Sequence, residues 1–358
     1  MMFSNHRTGF LKVYCSETFL PRSYRKSVPI DLSTGEIVYR GVLRGCRPAE
    51  FEEAQLDRIN GCAFTRNTGS EVSRMLQDRF CEDDVLTTVL KDVCIGRGIV
   101  SSGDLISRHK SPRPVMDLFA EIQEEKVAYI PSSVLGSNYF GHWLRDDCAT
   151  KELFEPDQHA IAAANLSWQD MALYASLFEQ DWSYSPLVFA HEAHLFYDIG
   201  FNQHKAERHK LLRARIEKRL PAKGTGKVVY VRRGKSGAKR EIANELELID
   251  ILQKNDVTIL EPENDTRHFI EQCLGASVFI SVEGSQIGHA LYTLQEGGSL
   301  LVIQPPDRFY NAHYEWTRAA EVNYGVVVGE QREAGFHVYP EEVLRMIDRL
   351  LDRPPFPG

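Results

Sequence analysis

The chain has 358 residues, 43% of them hydrophobic and 26% charged, which predicts about two domains with substantial hydrophobic cores. Its 42 basic and 50 acidic side chains give a net charge of −8, which argues against binding to nucleic acid. Because no apolar run approaches the ~18 residues of a membrane span and the first residues lack the apolar core of a signal peptide, we expect a cytoplasmic protein with no transmembrane segment.

The first chemically distinctive segment is NYFGHWLRDD, residues 138–147, which follows a strand predicted at 127–131. Asn138 is suited to cap a helix that begins directly after it. His142 and Asp146 would then share one face of that helix. A carboxylate that orients an imidazole is a common way to build a general base, although the pattern also fits a surface aspartate beside a partly buried histidine.

A second histidine-rich segment lies further along the chain. A helix capped by Ser167 is predicted over 168–178, and a strand over 187–198 carries His191, His194 and Asp198. These three side chains suggest a metal site. H-E-A-H is one residue shorter than H-E-x-x-H, the spacing that puts two histidines on one helix face, so we expect no metal here.

The domain junction is predicted near Phe201, before a basic helix over 203–220. This gives an N-terminal domain of residues 1–201 and a C-terminal domain of residues 202–358. In the C-terminal domain, strands are predicted at 228–231, 257–260, 277–282 and 299–303, each but the last followed by a helix. Apolar strands that alternate with helices indicate a buried parallel sheet and a Rossmann-like domain.

The helices of this second half carry recognisable start signals. Asn244 with Glu247 has the capping-box spacing, Asp265 or Thr266 can cap the next helix, and a helix is predicted from Ser285 to Gln295. Pro340 is predicted to open the last helix.

Two of the predicted strands end in polar loops at the edge where parallel sheets bind ligands. The first loop begins with Arg232 and Arg233 and includes Lys235, and the second is Glu283–Gln286. Arginine forks match phosphate oxygens, and a helix N-terminus favours an anion. An ordinary basic loop and a plain strand–helix turn are the alternatives. Neither loop is a P-loop, and no G-x-G-x-x-G follows a strand, which argues against ATPase and dinucleotide-binding functions.

An aromatic run, residues 309–316, follows the last strand of this sheet. Its side chains, Tyr310 among them, could stack on a base or a sugar ring, or could simply form core.

NYFGHWLRDD, the strand that ends in Arg232-Arg233 and the SVEGSQIGHALYTLQEGGSLLVI segment occur in this order over about residues 127–330. Together they resemble the family-61 glycosyltransferases. The resemblance implies an α/β, GT-B-like fold in which two Rossmann-like domains face a central cleft. It also implies inverting transfer from a nucleotide sugar, with a UDP-sugar favoured, and no cofactor or bound metal. The sequence agrees on the metal, since it contains no Asp-x-Asp motif.

The resemblance also suggests roles for individual residues. The general base would be Asp146 or Glu283, with His142 beside Asp146; many family members have His-Gly-Ala-Gly where this chain has Glu283–Gln286, which leaves the choice open. The candidate acceptor-side or stacking residues are Trp143, Asn138 and Tyr310. The candidate donor-binding residues are Arg232, Arg233, Lys235, Gly284, Ser285, Gln286 and His289.

The sequence therefore predicts an inverting, metal-independent glycosyltransferase of polysaccharide or glycan biosynthesis. Its partners would be a nucleotide sugar and a glycan or lipid-linked acceptor, with peripheral membrane contact left open. A non-catalytic sugar- or nucleotide-binding module on the same fold and a phosphate-handling enzyme are the alternatives.

Overall fold

The structure is a computed structural model that describes residues 28–110, 121–155, 157–233, 240–261 and 265–354. The strands of these residues, in chain order, are β1 Val28–Pro29, β2 Glu36–Tyr39, β3 Leu43–Gly45, β4 Arg79–Cys81, β5 Val85–Gly96, β6 Ile99–Ser102, β7 Leu105–Arg108, β8 Gln123–Ile130, β9 Ala160–Ile161, β10 Trp182–Ser183, β11 Val188–Tyr197, β12 Val228–Val231, β13 Thr258–Leu260, β14 Ala276–Val282, β15 Leu294–Gln304, β16 Asn323–Val328, β17 Glu330–Gln331 and β18 Phe336–His337.

The α-helices of the same residues are α1 Glu53–Leu56, α2 Thr68–Met75, α3 Val134–Asn138, α4 Phe140–His142, α5 Cys148–Lys151, α6 Met171–Leu177, α7 Gln203–Arg219, α8 Glu245–Lys254, α9 Thr266–Cys273, α10 Ala290–Thr293, α11 Ala312–Ala319 and α12 Pro340–Leu351. A π-helical segment spans Trp143–Asp147, and 3-10 segments span Leu32–Thr34 and Ser285–His289.

The described residues form two compact units. The first takes its residues from Met1–Gly41 and Asp83–Gly200, and the second from Val42–Glu82 and Phe201–Gly358. Sequence prediction assigned residues 42–82 to the N-terminal domain, whereas in the structure they pack in the second unit. Their backbone pairs there with residues far away in the chain: Val326 donates a hydrogen bond to the Glu50 carbonyl, and Glu50 donates one to the Tyr324 carbonyl.

The first unit is built on a mixed sheet. Among its described residues the strand order is β1-β7-β6-β5-β11-β8-β9-β10, with β2 also paired to β5. β11 lies at the change of direction, since it runs antiparallel to β5 and parallel to β8. The two predicted strands are therefore confirmed: the one at 127–131 overlaps the end of β8, and the one at 187–198 contains β11. The pairs from β11 to β10 and the edge pair β1–β7 are parallel, whereas β7–β6, β6–β5 and β5–β11 are antiparallel. This mixed sheet differs from the wholly parallel sheet of a Rossmann-like domain.

The second unit contains the parallel sheet that the sequence predicts. Its order is β13-β12-β14-β15-β16, and every neighbouring pair is parallel. β12, the first strand of this sheet in sequence, therefore lies between β13 and β14. The chain leaves β12 toward one edge of the sheet, to β13, and leaves β14 toward the other edge, to β15. In open α/β sheets, ligands bind outside the carboxyl ends of the strands at this switch point.

The local start signals of the second unit are partly confirmed. Asp265 caps α9 by accepting a hydrogen bond from the His268 N–H at 3.0 Å, and Pro340 is the first residue of α12. The predicted capping box does not form, because Asn244 Oδ1, the atom that would accept from the helix, accepts from the Val338 N–H at 3.0 Å instead. A single helix was predicted over 285–295. The structure has a 3-10 turn followed by α10, which ends at Thr293.

Among the described residues, no helix combines the length and the apolarity that crossing a membrane requires.

Candidate functional site

His142 and Asp146 lie in a helix of changing pitch in the first unit. α4 ends at His142, the π-helical turn Trp143–Asp147 follows, and α5 continues from Cys148. The Cys148 N–H donates to the Trp143 carbonyl, which is the i to i+5 bond of a π-helix. Single π-turns inside helices are frequent at functional sites, because the wider turn redirects the side chains on it.

His142, Asp146 and Arg145 form a connected polar cluster. His142 Nδ1 lies 2.7 Å from Asp146 Oδ2, while Arg145 donates from Nη2 to Oδ2 at 2.9 Å and from Nε to Oδ1 at 3.1 Å. Arg145 Nη2 also lies 2.8 Å from His142 Nδ1. Nδ1 lies between an acceptor, the Asp146 carboxylate, and a donor, the Arg145 guanidinium, so the two contacts favour opposite tautomers. We take the tautomer with the proton on Nδ1, which is donated to Asp146 at the shorter of the two distances. His142 Nε2 is then the basic nitrogen.

The exposure of the two side chains differs in the direction that a histidine base requires. The His142 side chain is 28% exposed, whereas the Asp146 side chain is 2% exposed. Both Asp146 oxygens contact donors from His142 or Arg145. Asp146 is therefore positioned to orient the imidazole, and this geometry fits a base at His142 better than a base at Asp146; which residue is the base stays a prediction.

Two acceptor-side candidates have different surroundings from those expected. Trp143 is fully buried, between Phe140 and Trp182, so its ring is not accessible for stacking on a ligand. Asn138 is the last residue of α3 rather than a cap of the next helix, because its amide donates to the carbonyls of His109 and Val134. The cap of α4 is Tyr139, which makes no side-chain capping bond.

In the second unit, arginines converge at the switch point of the parallel sheet. Arg233 follows β12 and donates from Nη1 to the Glu283 carbonyl at 3.2 Å, just beyond the end of β14. Arg240 Nε lies 2.9 Å from Glu283 Oε2, with both side chains less than a tenth exposed. The N–H does not point at the oxygen, so this contact is an ion pair rather than a well-formed hydrogen bond. Arg240 was not identified from the sequence.

Arg308, in the loop after β15, completes this cluster, and its positive charge acts on Glu283, Arg233 and Arg240. Burial lowers the pKa of Arg233 to about 10, and the neighbouring Arg240 adds to the shift. Burial also raises the pKa of Glu283, although the three arginines oppose the shift. Three guanidinium groups around one carboxylate give the site a net charge of about +2 at neutral pH, which suits a diphosphate.

Arg232 has a different environment from Arg233, although the two are adjacent. Its guanidinium donates to Glu245 at 2.8 Å and to Glu261, and these bonds raise its pKa. Its charge is therefore already compensated by two carboxylates. We therefore rank Arg233 above Arg232 as a donor-binding residue.

Gly284 permits the close approach of Arg233 to the loop after β14. A Cβ atom at Gly284 would lie 1.9 Å from Arg233 Nη1, and the glycine has a φ of +157°. Gln286 fixes the same guanidinium, since its Oε1 accepts from Arg233 Nη1 at 3.1 Å while its Nε2 donates to the Val282 carbonyl. Ser285 is exposed beside them.

His289 lies in the core and not on the donor side of this loop. It is 2% exposed, packs edge-to-face on Phe269, and has a pKa lowered by burial to about 4. Lys235 lies outside the described residues.

The structure does not bring together the histidines that suggested a metal site in the sequence, because both lie on one strand. His191 and His194 are three apart on β11, and they pair with the different carboxylates of Glu124 and Glu192. Asp198 accepts from the Thr150 hydroxyl. The described ranges contain no group of three His, Cys, Asp or Glu side chains arranged to hold a metal ion.

Comparison with protein families gives a match to part of the chain. Residues 140–301 match the family model described as Glycosyltransferase 61. The resemblance to glycosyltransferase family 61 is therefore confirmed over this segment, which includes His142, Asp146, Arg233 and Glu283. Glycosyltransferase is the class of activity that the match supports. No curated protein sequence matches the chain at a significant level.

Proposed function

We propose that the protein is an inverting, metal-independent glycosyltransferase that moves a sugar from a nucleotide-sugar donor to a hydroxyl acceptor in polysaccharide or glycan assembly. The observation that carries this proposal is the cluster of Arg233, Arg240 and Arg308 at the carboxyl edge of the parallel sheet. A nucleotide sugar presents two charged phosphates, and the departing diphosphate gains a further negative charge as the bond to the sugar breaks. Fixed guanidinium groups stabilise that charge in the transition state.

In the proposed reaction, His142 is the base. Its Nε2 accepts the proton of the acceptor hydroxyl while the hydroxyl oxygen forms a bond to the anomeric carbon of the sugar. The bond from that carbon to the diphosphate oxygen breaks with its electron pair, so the nucleoside diphosphate leaves from the opposite face and the configuration inverts. Asp146 accepts the proton of His142 Nδ1, and Arg145 holds the Asp146 carboxylate in place. The GT-B-like arrangement is part of this proposal, because one substrate must reach both sets of residues.

Glu283 has a compensating role in this proposal rather than a basic one. Its carboxylate is buried and ion-paired with Arg240, so it reduces the repulsion between three neighbouring guanidinium groups. A site with three arginines and no acid would hold a larger uncompensated charge when the donor is absent.

The experiment that tests the function is a donor screen. Purified protein is incubated with a panel of nucleotide sugars, UDP-sugars first, and glycan or lipid-linked acceptors, and products are read by mass spectrometry with and without EDTA. We expect a product whose mass rises by one sugar, with turnover unchanged by EDTA. Nucleoside-diphosphate binding with no consumption of any sugar donor would favour the non-catalytic module, and loss of turnover in EDTA that returns with manganese would contradict metal independence.

A further inference from the structure

An exposed aromatic residue of the second unit lies on a strained turn. Phe64 has a φ of +54° and Thr65 a φ of +59°, both in the left-handed region, and the Phe64 residue is 62% exposed. The left-handed conformation is unfavourable for residues with a Cβ, and it is rare for a β-branched residue such as threonine. Such outliers persist only where the surrounding structure enforces them, and they cluster at ligand-binding sites.

The turn is held by backbone hydrogen bonds to the loop that follows β15. Asn60 and Gly61 donate to the Pro306 carbonyl at 2.9 and 3.1 Å, Phe309 donates to the Gly61 carbonyl at 2.9 Å, and Ala63 donates to the Phe309 carbonyl at 3.2 Å. The strand-like pairing fixes residues 60–63 against the segment that carries Arg308 and Tyr310. The position of Phe64 is therefore set by this backbone pairing and not by burial of the Phe64 side chain.

The ring of Phe64 contacts two side chains of that loop. The Tyr310 ring meets it edge-on with a centroid distance of 5.1 Å, and the Arg308 guanidinium carbon lies over it at 5.1 Å. The Arg66 guanidinium carbon lies over the Tyr310 ring at 5.5 Å. A ring pair rimmed by guanidinium groups presents aromatic faces and positive charge together.

Arg308 joins this ring pair to the arginine cluster at the switch point. The same guanidinium group that stacks on Phe64 has its charge close enough to act on Glu283, Arg233 and Arg240. A ligand with an anionic group in the cluster would therefore lie near Phe64 and Tyr310, where a flat ring attached to that group could contact them. Both rings lie outside the segment that matches the glycosyltransferase family, which ends at residue 301.

We infer that Phe64 and Tyr310 form the surface on which the nucleobase of the donor stacks, with Arg308 between the base and the diphosphate. The inference rests on the proposed function, since it assigns the nucleotide part of the same donor. Every nucleobase has a flat π-face, so stacking of this kind adds affinity without demanding one base. Stacking of a base on an aromatic side chain accounts for roughly 5- to 150-fold in affinity.

The test compares UDP with inorganic pyrophosphate by titration calorimetry on the full chain. In Phe64→Ala, the affinity for UDP should fall by roughly 5- to 150-fold while the affinity for pyrophosphate stays at the wild-type value, because only UDP carries a ring. Phe64→Trp should retain UDP binding, and Tyr310→Ala should weaken it in the same direction. Leu246→Ala is the matched control, since Leu246 is a 79% exposed apolar residue of the same unit outside this surface.

The outcomes separate this inference from the proposed function. Wild-type UDP affinity in Phe64→Ala would overturn the stacking surface, as would wild-type protein that binds pyrophosphate as tightly as UDP; both results leave the arginine cluster in place as an anion site. Failure of wild-type protein to bind either ligand would overturn both proposals. Because Phe64 is exposed, its replacement should leave the melting temperature unchanged, and an equal loss of UDP and pyrophosphate binding would also count against stacking.

Discussion

The Nδ1 atom of His142 lies 2.7 Å from Oδ2 of Asp146, and the carboxylate in this pair is buried while the imidazole is partly exposed. This arrangement is the basis for the two different roles that we propose for these residues. In this proposal the buried Asp146 fixes the tautomer of the imidazole, and Nε2 of the partly exposed His142 contacts the substrate.

The first prediction concerns the histidine. His142→Gln keeps a polar side chain of similar size but removes the basic nitrogen, so turnover should fall by about 100- to 10,000-fold, the usual contribution of general-base catalysis. Nucleoside-diphosphate affinity should stay near the wild-type value, because the arginine cluster is untouched. Steady-state kinetics with calorimetry on the same preparations checks both parts. Near-normal turnover in His142→Gln would return the role of base to Asp146 or Glu283.

The second prediction concerns stability. Asp146→Asn leaves the Arg145 guanidinium buried beside an uncharged amide, and removal of one partner from a buried ion pair costs about 3–5 kcal/mol. We therefore expect a clearly lower free energy of unfolding in denaturant titrations. Glu333→Gln serves as the control, since Glu333 is exposed and its replacement should be neutral. A stability equal to wild type would mean that the buried pair is not formed in solution.

Sequence patterns predicted that His142 and Asp146 lie together, whereas their roles in catalysis stay a prediction. The spacing of His142 and Asp146 is four residues, and this local relationship survives in the structure. Arg145 was missed, because its position between two predicted site residues carries no periodic signal. Trp143 was misplaced, because the burial of a tryptophan depends on Phe140 and on Trp182, a residue of β10 far away in sequence.

In the second unit, too, the sequence predicted local structure but not the contacts between distant residues. Alternation of apolar strands and helices was enough to predict the parallel sheet, and β12 spans 228–231, the residues that the pattern indicated. Arg240 and Arg308 reach Arg233 through tertiary packing, and the intervening sequence holds no motif that links them. The assignment of residues 42–82 to the second unit depends on backbone pairing such as that between Cys62 and Phe309, which no local pattern reports.

The third prediction separates the adjacent arginines. Arg233→Ala and Arg240→Ala should each weaken nucleoside-diphosphate binding by roughly 10- to 150-fold, the effect of about 1.5–3 kcal/mol for a charged hydrogen bond. Arg232→Ala is the matched control, because Glu245 and Glu261 already compensate its charge. Its affinity should remain within about threefold of wild type by calorimetry. A larger loss in Arg232→Ala than in Arg233→Ala would reverse the assignment.

The fourth prediction is a gain in affinity for pyrophosphate. Glu283→Gln removes the single negative charge from the arginine cluster, and one charge at 4 Å is worth about 1 kcal/mol even in water. Pyrophosphate should therefore bind about fivefold tighter. The pKa of Glu283 is raised in the folded protein, so its ionisation at neutral pH costs the fold some stability, which glutamine avoids. Glutamine also removes the buried ion pair with Arg240, which opposes this gain, so the melting temperature is measured beside the affinity. Weaker pyrophosphate binding with an unchanged melting temperature would show that Glu283 holds the arginines in place rather than merely compensating them.

The last prediction uses two glycines to distinguish backbone strain from a steric clash. Gly284 and Gly297 both have positive φ, +157° and +70°, so alanine at either position strains the backbone. A Cβ at Gly297 meets nothing within 4 Å, whereas a Cβ at Gly284 would lie 1.9 Å from Arg233 Nη1. Both variants should therefore lose stability, by about 1–2 kcal/mol for Gly297→Ala. Only Gly284→Ala should also displace the guanidinium and lower nucleoside-diphosphate affinity, by roughly 10- to 150-fold if the Arg233 contact is lost. Calorimetry below the melting transition of each variant makes the comparison. Equal affinities in the two variants would mean that Arg233 does not bind the diphosphate from the position it holds beside Gly284.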